Sequence, residues 1–236
     1  MSKKAILVSA TIVIFGVAAA VLMFTGGRGK GVGLVYVPDE AVRHREKGEF
    51  LLNRRLHTTD RTQKAELLTE AIEEFKKALA VKPDFETVHN LLGHAYMERG
   101  QWETALTHLN RALELRADYP AALYNRGRLY AQVSLGKRDK ELLRKAIADY
   151  QAALSSELSV GFTGDILKAL ADAQNQADDL AGAIETLKRY LRVAPHAPDA
   201  ALIERKIRGL MLMQKGTAPP EGEIYKEAVQ APKQDS

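Results

Sequence analysis

ETVHNLLGHAYMERGQWETALTHLNRALELRADY, residues 86–119, is the stretch whose reading decides the fold, because its order of small and large residues returns elsewhere in the 236-residue chain. Gly93 and Tyr96 fall in one predicted helix, and Ala105, Leu109 and Ala112 in the next. The second-helix column recurs as Ala71, Ala105, Ala146 and Ala183, each followed four residues later by a large residue: Phe75, Leu109, Tyr150 and Leu187. Successive members of that column are 34, 41 and 37 residues apart. The first-helix column reads Gly48, Gly93, Gly127 and Ala171, with steps of 45, 34 and 44, and Tyr130 follows Gly127 as Tyr96 follows Gly93. Both columns give four repeats, and self-similarity at such a period marks stacked supersecondary units. The small residue in each helix lets its partner approach, while the large residue fills the space between turns.

Leu92-Gly93, Tyr96, Ala105, Leu109 and Ala112 together resemble the tetratricopeptide repeat (TPR) pattern of L-G-x2-Y, then A-x3-F, then a small residue. The resemblance covers about Asp39 to Ala197 and implies an all-α, right-handed solenoid of helical hairpins, with repeats at 39–85, 86–119, 120–160 and 164–197. Pro83 and Pro195 close two of these units, since proline cannot continue a helix; Ala117 and Leu158 stand at the equivalent places in the other two. Polar insertions fall between the two helices of the first and third repeats, at 53–63 and 135–141. Asp60 with Gln63, and Asp139 ahead of Glu141, are expected to cap extended second helices there, giving long, projecting hairpins. From 198 to 215, Leu202, Ile203, Ile207, Leu210 and Met211 share one predicted helix face, as expected of a helix that caps the last repeat.

Families of this kind generally carry no chemistry of their own and bind peptides or domains along a concave face lined by the first helix of each repeat. Carried onto this chain, that face comprises Val42, Arg45 and Glu49, then Asn90, His94 and Met97, then Tyr124, Arg128 and Ala131, then Lys168, Asp172 and Asn175. Asn90, His94, Tyr124 and Arg128 combine groups able to hydrogen-bond a peptide backbone and pair with a carboxylate. The clamp for a C-terminal carboxylate known in one subclass is not expected, because Glu49 stands where that clamp wants asparagine and Tyr124 replaces a basic or small residue. His89 and His94 are five residues apart, a spacing that turns the rings away from each other, so no metal is expected from His89, His94 and His108. His89 and His44 read as core positions, and Glu73, Glu74, Glu103 and Glu114 as outer helix faces. No nucleophile elbow, zinc-protease motif or paired carboxylates are present in the sequence, so neither catalysis nor a cofactor is expected.

With 46% hydrophobic and 27% charged residues the chain has the composition of a folded protein, and no cysteine means no disulfide and no thiolate site. Its net charge is only +4 with acidic and basic residues interspersed, which disfavours nucleic acid as a partner. Ala5 to Phe24 is an uncharged apolar run long enough to span a bilayer, so 1–24 is expected to be a stub and single transmembrane signal anchor rather than a cleaved signal peptide. Residues 25–38 then form a glycine-rich linker, without a phosphate-binding motif, and 216–236 a disordered tail. These expectations add up to a single-pass protein of a bacterial inner membrane, its repeats in the periplasm. It would organise protein or peptide partners through its groove, with two alternatives: a self-assembling homo-oligomer, hinted at by Met211 and Met213, and an accessory subunit of an envelope-biogenesis, secretion or cytochrome-maturation machine.

Overall fold

A computed structural model describes residues 39–137, 139–156 and 161–216. Among them lie nine α-helices and no strand: α1 Glu40–His57, α2 Arg61–Val81, α3 Glu86–Glu98, α4 Trp102–Leu115, α5 Pro120–Lys137, α6 Lys140–Ser155, α7 Thr163–Gln176, α8 Leu180–Val193 and α9 Ala200–Gln214. They fall into two compact units that divide after Lys82.

The first unit is the hairpin α1–α2. Asp39 opens α1 by accepting from the Ala41 amide at 3.2 Å, and Asp60 opens α2 by accepting from Thr62 and Gln63 at 2.8 and 3.2 Å. Such carboxylate caps satisfy amides that have no partner inside the helix. The insertion has become helix: α1 and α2 run to 18 and 21 residues and leave only Thr58 to Asp60 between them. Ala41, Leu51, Leu67, Leu68, Ala71, Ile72, Phe75 and Ala78 form the buried seam. At Gly48 the helices touch so closely that a Cβ would lie 2.4 Å from Phe75 Cε1.

In the second unit α3–α4, α5–α6 and α7–α8 pair as consecutive hairpins, each packing on the next, and α9 packs on α8. The shorter hairpins turn through a left-handed residue, Gly100 at φ 73° between α3 and α4 and Asp178 at φ 65° between α7 and α8. The longer α5–α6 pair instead uses Asp139, which accepts from the Glu141 and Leu142 amides at 2.9 and 3.3 Å. One core gathers Ala112, Leu113, Ala122, Leu123, Ala146, Tyr150, Ala153, Ile166, Leu170 and Ala173; the next gathers Leu167, Ala171, Ala183, Ile184, Leu187 and Tyr190 with Ile203, Ile207 and Leu210 of α9.

Several expectations need correction. Leu202 and Met211 do not join the buried face of α9; both are exposed, because the seam on α8 is only as wide as Ile203, Ile207 and Leu210. His44 is half-buried rather than core, and Glu74 is buried rather than outward. The two meet, the His44 Nδ1–H donating to Glu74 Oε2 at 2.6 Å. Pro83 and Pro195 do follow the last turns of α2 and α8.

The localisation expected from the sequence, a single-pass inner-membrane protein with periplasmic repeats, is also corrected: among the described residues no helix is long and apolar enough to cross a membrane. The anchor at Ala5 to Phe24, the linker at 25–38, Leu158 and the tail from 217 lie outside the described residues.

Candidate functional site

Most of the small and large residues singled out for packing lie in the seams. Ala71, Phe75, Tyr96, Ala105, Ala146, Tyr150, Ala171 and Ala183 are buried, as are Gly48, Gly93 and Gly127. Tyr130 is half-buried, with the Arg126 guanidinium 6.0 Å from its ring centroid. Gly93 backs onto Leu109, whose Cγ would lie 2.5 Å from an added Cβ, and Gly127 onto Tyr150, whose Cε1 would lie 2.7 Å from one.

The residues expected to line a groove divide into three groups. Asn90 and Met97 are withdrawn into the fold: both are buried, and Asn90 Oδ1 accepts from Asn125 Nδ2 at 2.9 Å, joining α3 to α5. For Asn90 the neighbouring first helix supplies the cover, through Asn125. In the first unit Arg45 is held on its own helix by both Glu49 oxygens at 3.1 Å and by Glu46 at 3.3 Å, while Val42 is half-buried. The third group remains accessible: His94, Tyr124, Arg128, Ala131, Lys168 and Asn175 are half-buried and Asp172 is exposed.

Tyr124 and Arg128 of α5 stand at the centre of that group. The Tyr124 ring lies 6.0 Å from Tyr150 and 6.1 Å from Phe162, and the Arg128 guanidinium sits 5.7 Å from the Tyr124 centroid. Burial pushes the Tyr124 hydroxyl above its ordinary pKa; Arg128 and Lys168 oppose the shift and Asp165 adds to it, so α5 and α7 present their charges to one neighbourhood. Among the described residues Arg128 has no carboxylate partner. Lys168 is more committed, pairing with Asp199 at 3.1 Å and Asp165 at 3.4 Å and lying 5.3 Å from the Tyr190 centroid. The Asp199 bond holds its ammonium above the usual range. Asp172 pairs with Lys206 of α9. Sequence reading missed Phe162, Asp165 and Lys206; only Asp165 carried a signal, its three-residue spacing ahead of Lys168 on one helix.

The histidines are structural in a defined way. His89 Nε2 faces the Pro83 carbonyl at 2.9 Å and donates to it. His89 Nδ1 lies 3.1 Å from His108 Nδ1, and the His108 ring stacks on Tyr96 at 5.5 Å. Among the described residues no group of three or more His, Asp or Glu side chains could hold a metal ion.

Comparison with known proteins agrees with this architecture. A family model described as TPR repeat matches residues 67–98 and 93–134, and one described as tetratricopeptide repeat matches 136–201; together they span more than half of the chain. The heat shock protein STI1 of Saccharomyces cerevisiae is 28% identical over 177 residues, which are 73% of this chain and 27% of that protein, so the chain spans about a quarter of that relative's length. Similar solved structures include MamA from Desulfovibrio magneticus RS-1, at 17% identity and a TM-score of 0.57 over 76% of this chain and 87% of that one. PilF of Pseudomonas aeruginosa gives 18% and 0.56 over 74% and 71%. YrrB, titled a TPR protein with an unusual peptide-binding site, gives 20% and 0.52 over 70% and 74%. At these identities the structures speak for the fold alone.

Proposed function

The chain belongs to the tetratricopeptide repeat family, and from that premise we propose that it is a protein-binding scaffold whose docking face is the accessible side of α5 and α7. Arg128 carries the reading. Its guanidinium is held over an aromatic ring, half-buried, and unpaired among the described residues. A planar cation in that state is suited to accept a carboxylate or backbone carbonyl from a docked peptide, with Tyr124 supplying apolar area and a hydroxyl. The peptide-binding site named for YrrB is consistent with such use of the fold. Multivalent engagement of the whole face would let several weak contacts act together.

A photoreactive side chain placed at Tyr124, with a control at exposed Glu114 on α4, tests the reading in cells. The expected product is one foreign polypeptide crosslinked at position 124, absent from the control and lost when Arg128→Glu is added. Self-crosslinks alone, or equal capture at both positions, would replace the groove reading by self-assembly, for which the exposed Leu202, Met211, Leu212 and Met213 of α9 offer an apolar surface.

A further inference from the structure

The free end of the α1–α2 hairpin carries a charge pattern that folding does not account for. Arg54 and His57 lie in the last turn of α1, Arg61 opens α2, and Lys64 stands one turn on. Among the described residues none of these four side chains has a hydrogen-bond or ion-pair partner. Asp60, in the turn between the helices, is occupied as the cap of α2, accepting from two backbone amides. Basic residues at the end of α1 suit the negative pole of that helix, but those at the start of α2 face its positive pole, where the first turn holds no acidic residue. Arg61 therefore sits where helix electrostatics disfavour a cation.

The corresponding end of the other long hairpin behaves differently. Lys140 pairs with Asp178 at 3.4 Å and Arg144 with Glu141 at 3.0 Å. Length alone thus does not leave such cations unpaired.

Between the two helices the α1–α2 end encloses a recess of about 310 Å³ lined by Arg54, His57, Thr58, Gln63 and Leu67. Arg54 and His57 bring nitrogen donors to it and buried Leu67 an aliphatic side chain; the neighbouring Leu56 is 73% exposed. We propose that this end of the hairpin is a docking site for a carboxylate-rich polypeptide segment, built from residues other than those of the α5–α7 face. A guanidinium and an imidazole beside apolar surface match a glutamate side chain, whose carboxylate is carried on a short aliphatic stem. Nucleic acid is the competing polyanion, and the oligonucleotide arm of the test below separates it from a carboxylate-rich peptide.

The test is fluorescence anisotropy on the full chain with labelled octaglutamate, with octaglutamine, a single-stranded oligonucleotide and vesicles of equimolar phosphatidylcholine and phosphatidylglycerol as the other arms. Octaglutamate is expected to bind at least about ten-fold tighter than octaglutamine, with affinity falling as salt is added. Arg54→Glu/Arg61→Glu should remove that advantage, and Lys140→Glu/Arg144→Glu should change it by less than about two-fold. Both pairs are exposed, and circular dichroism will show that the helices persist. Equal binding of the two peptides, octaglutamate binding that survives the Arg54/Arg61 change, or a response to that change confined to the oligonucleotide or the vesicles would each overturn the proposal. Crosslinking at Tyr124 is read independently, so this site and the groove can fail separately.

Discussion

In α1–α2 a glycine preceded by Lys47 lies on a ring, Phe75, preceded by Glu74; in α5–α6 a glycine preceded by Arg126 lies on Tyr150, preceded by Asp149. Each hairpin joins these flanking charges, Lys47 to Glu74 at 2.9 Å and Arg126 to Asp149 at 2.8 Å through both guanidinium nitrogens that face it. The pairs differ in who is buried with the carboxylate. Glu74 is served by Lys47 and Lys77, whose side chains are 62% and 56% exposed, and by His44, which is 26% exposed. Asp149 is served by an arginine only 24% exposed, which also donates to Asn110 at 3.0 Å. Lysine heads can return to water when the carboxylate is lost, whereas the arginine stays partly desolvated without a counter-charge. The same motif is thus backed by two exposed lysines beside a half-buried His44 in the first hairpin, and by one half-buried arginine in the other.

The largest effect should come from Asp149→Ala, at about 3 kcal/mol of stability in urea denaturation, with Glu74→Ala at about 2 kcal/mol because its lysines, unlike Arg126, can return to water. Equal losses would erase the distinction. Next come the glycines: a methyl at Gly48 or Gly127 must displace a fully or nearly fully buried ring, so Gly48→Ala and Gly127→Ala should each cost about 2 kcal/mol by the same measurement. Rings that swing aside at no cost would show that the aromatic contact is not what sets the helix spacing.

The Glu74 cluster also predicts a pH dependence. Burial raises the Glu74 carboxyl, but the bonds from His44, Lys77 and Lys47 outweigh it and hold the group at about 2, below its ordinary 4.5. A depressed carboxyl stabilises the folded state above 4.5 and loses that contribution as pH falls toward 2. Wild type should therefore lose stability across this window more steeply than Glu74→Gln; parallel curves would mean the carboxylate is not held in this way. Smaller still, Asp178→Gly should gain about 0.5–1 kcal/mol, because glycine adopts the left-handed turn conformation without strain and the exposed Lys140 pairing is worth little. Arg61→Glu should gain about 0.5 kcal/mol in thermal denaturation by suiting the α2 N-terminus, and a loss instead would show that Arg61 supports the fold.

The repeats were legible because the contact that builds them is local and periodic. Gly48, Gly93, Gly127 and Ala171 recur opposite Phe75, Leu109, Tyr150 and Leu187, and a helix turns such spacing directly into a seam. The Asp60 and Asp139 caps were readable for the same reason, each acting within three residues of itself. The candidate face was readable only in part. Tyr124, Arg128 and Lys168 are half-buried and Asp172 is exposed, but Asn90 and Met97, on the same predicted face, are covered.

What the sequence by itself determined is therefore the all-helical repeat, its four hairpins' small-to-large contacts and the caps of its long second helices. Tertiary structure alone decided that Asn90 pairs inward with Asn125, that Glu74 is buried under His44 and two lysines, and that Arg54 and Arg61 are left without partners. The physical reason is one of range: helical periodicity assigns a side chain to a face, but burial and pairing depend on which residues from 27 to 35 positions away come to cover that face.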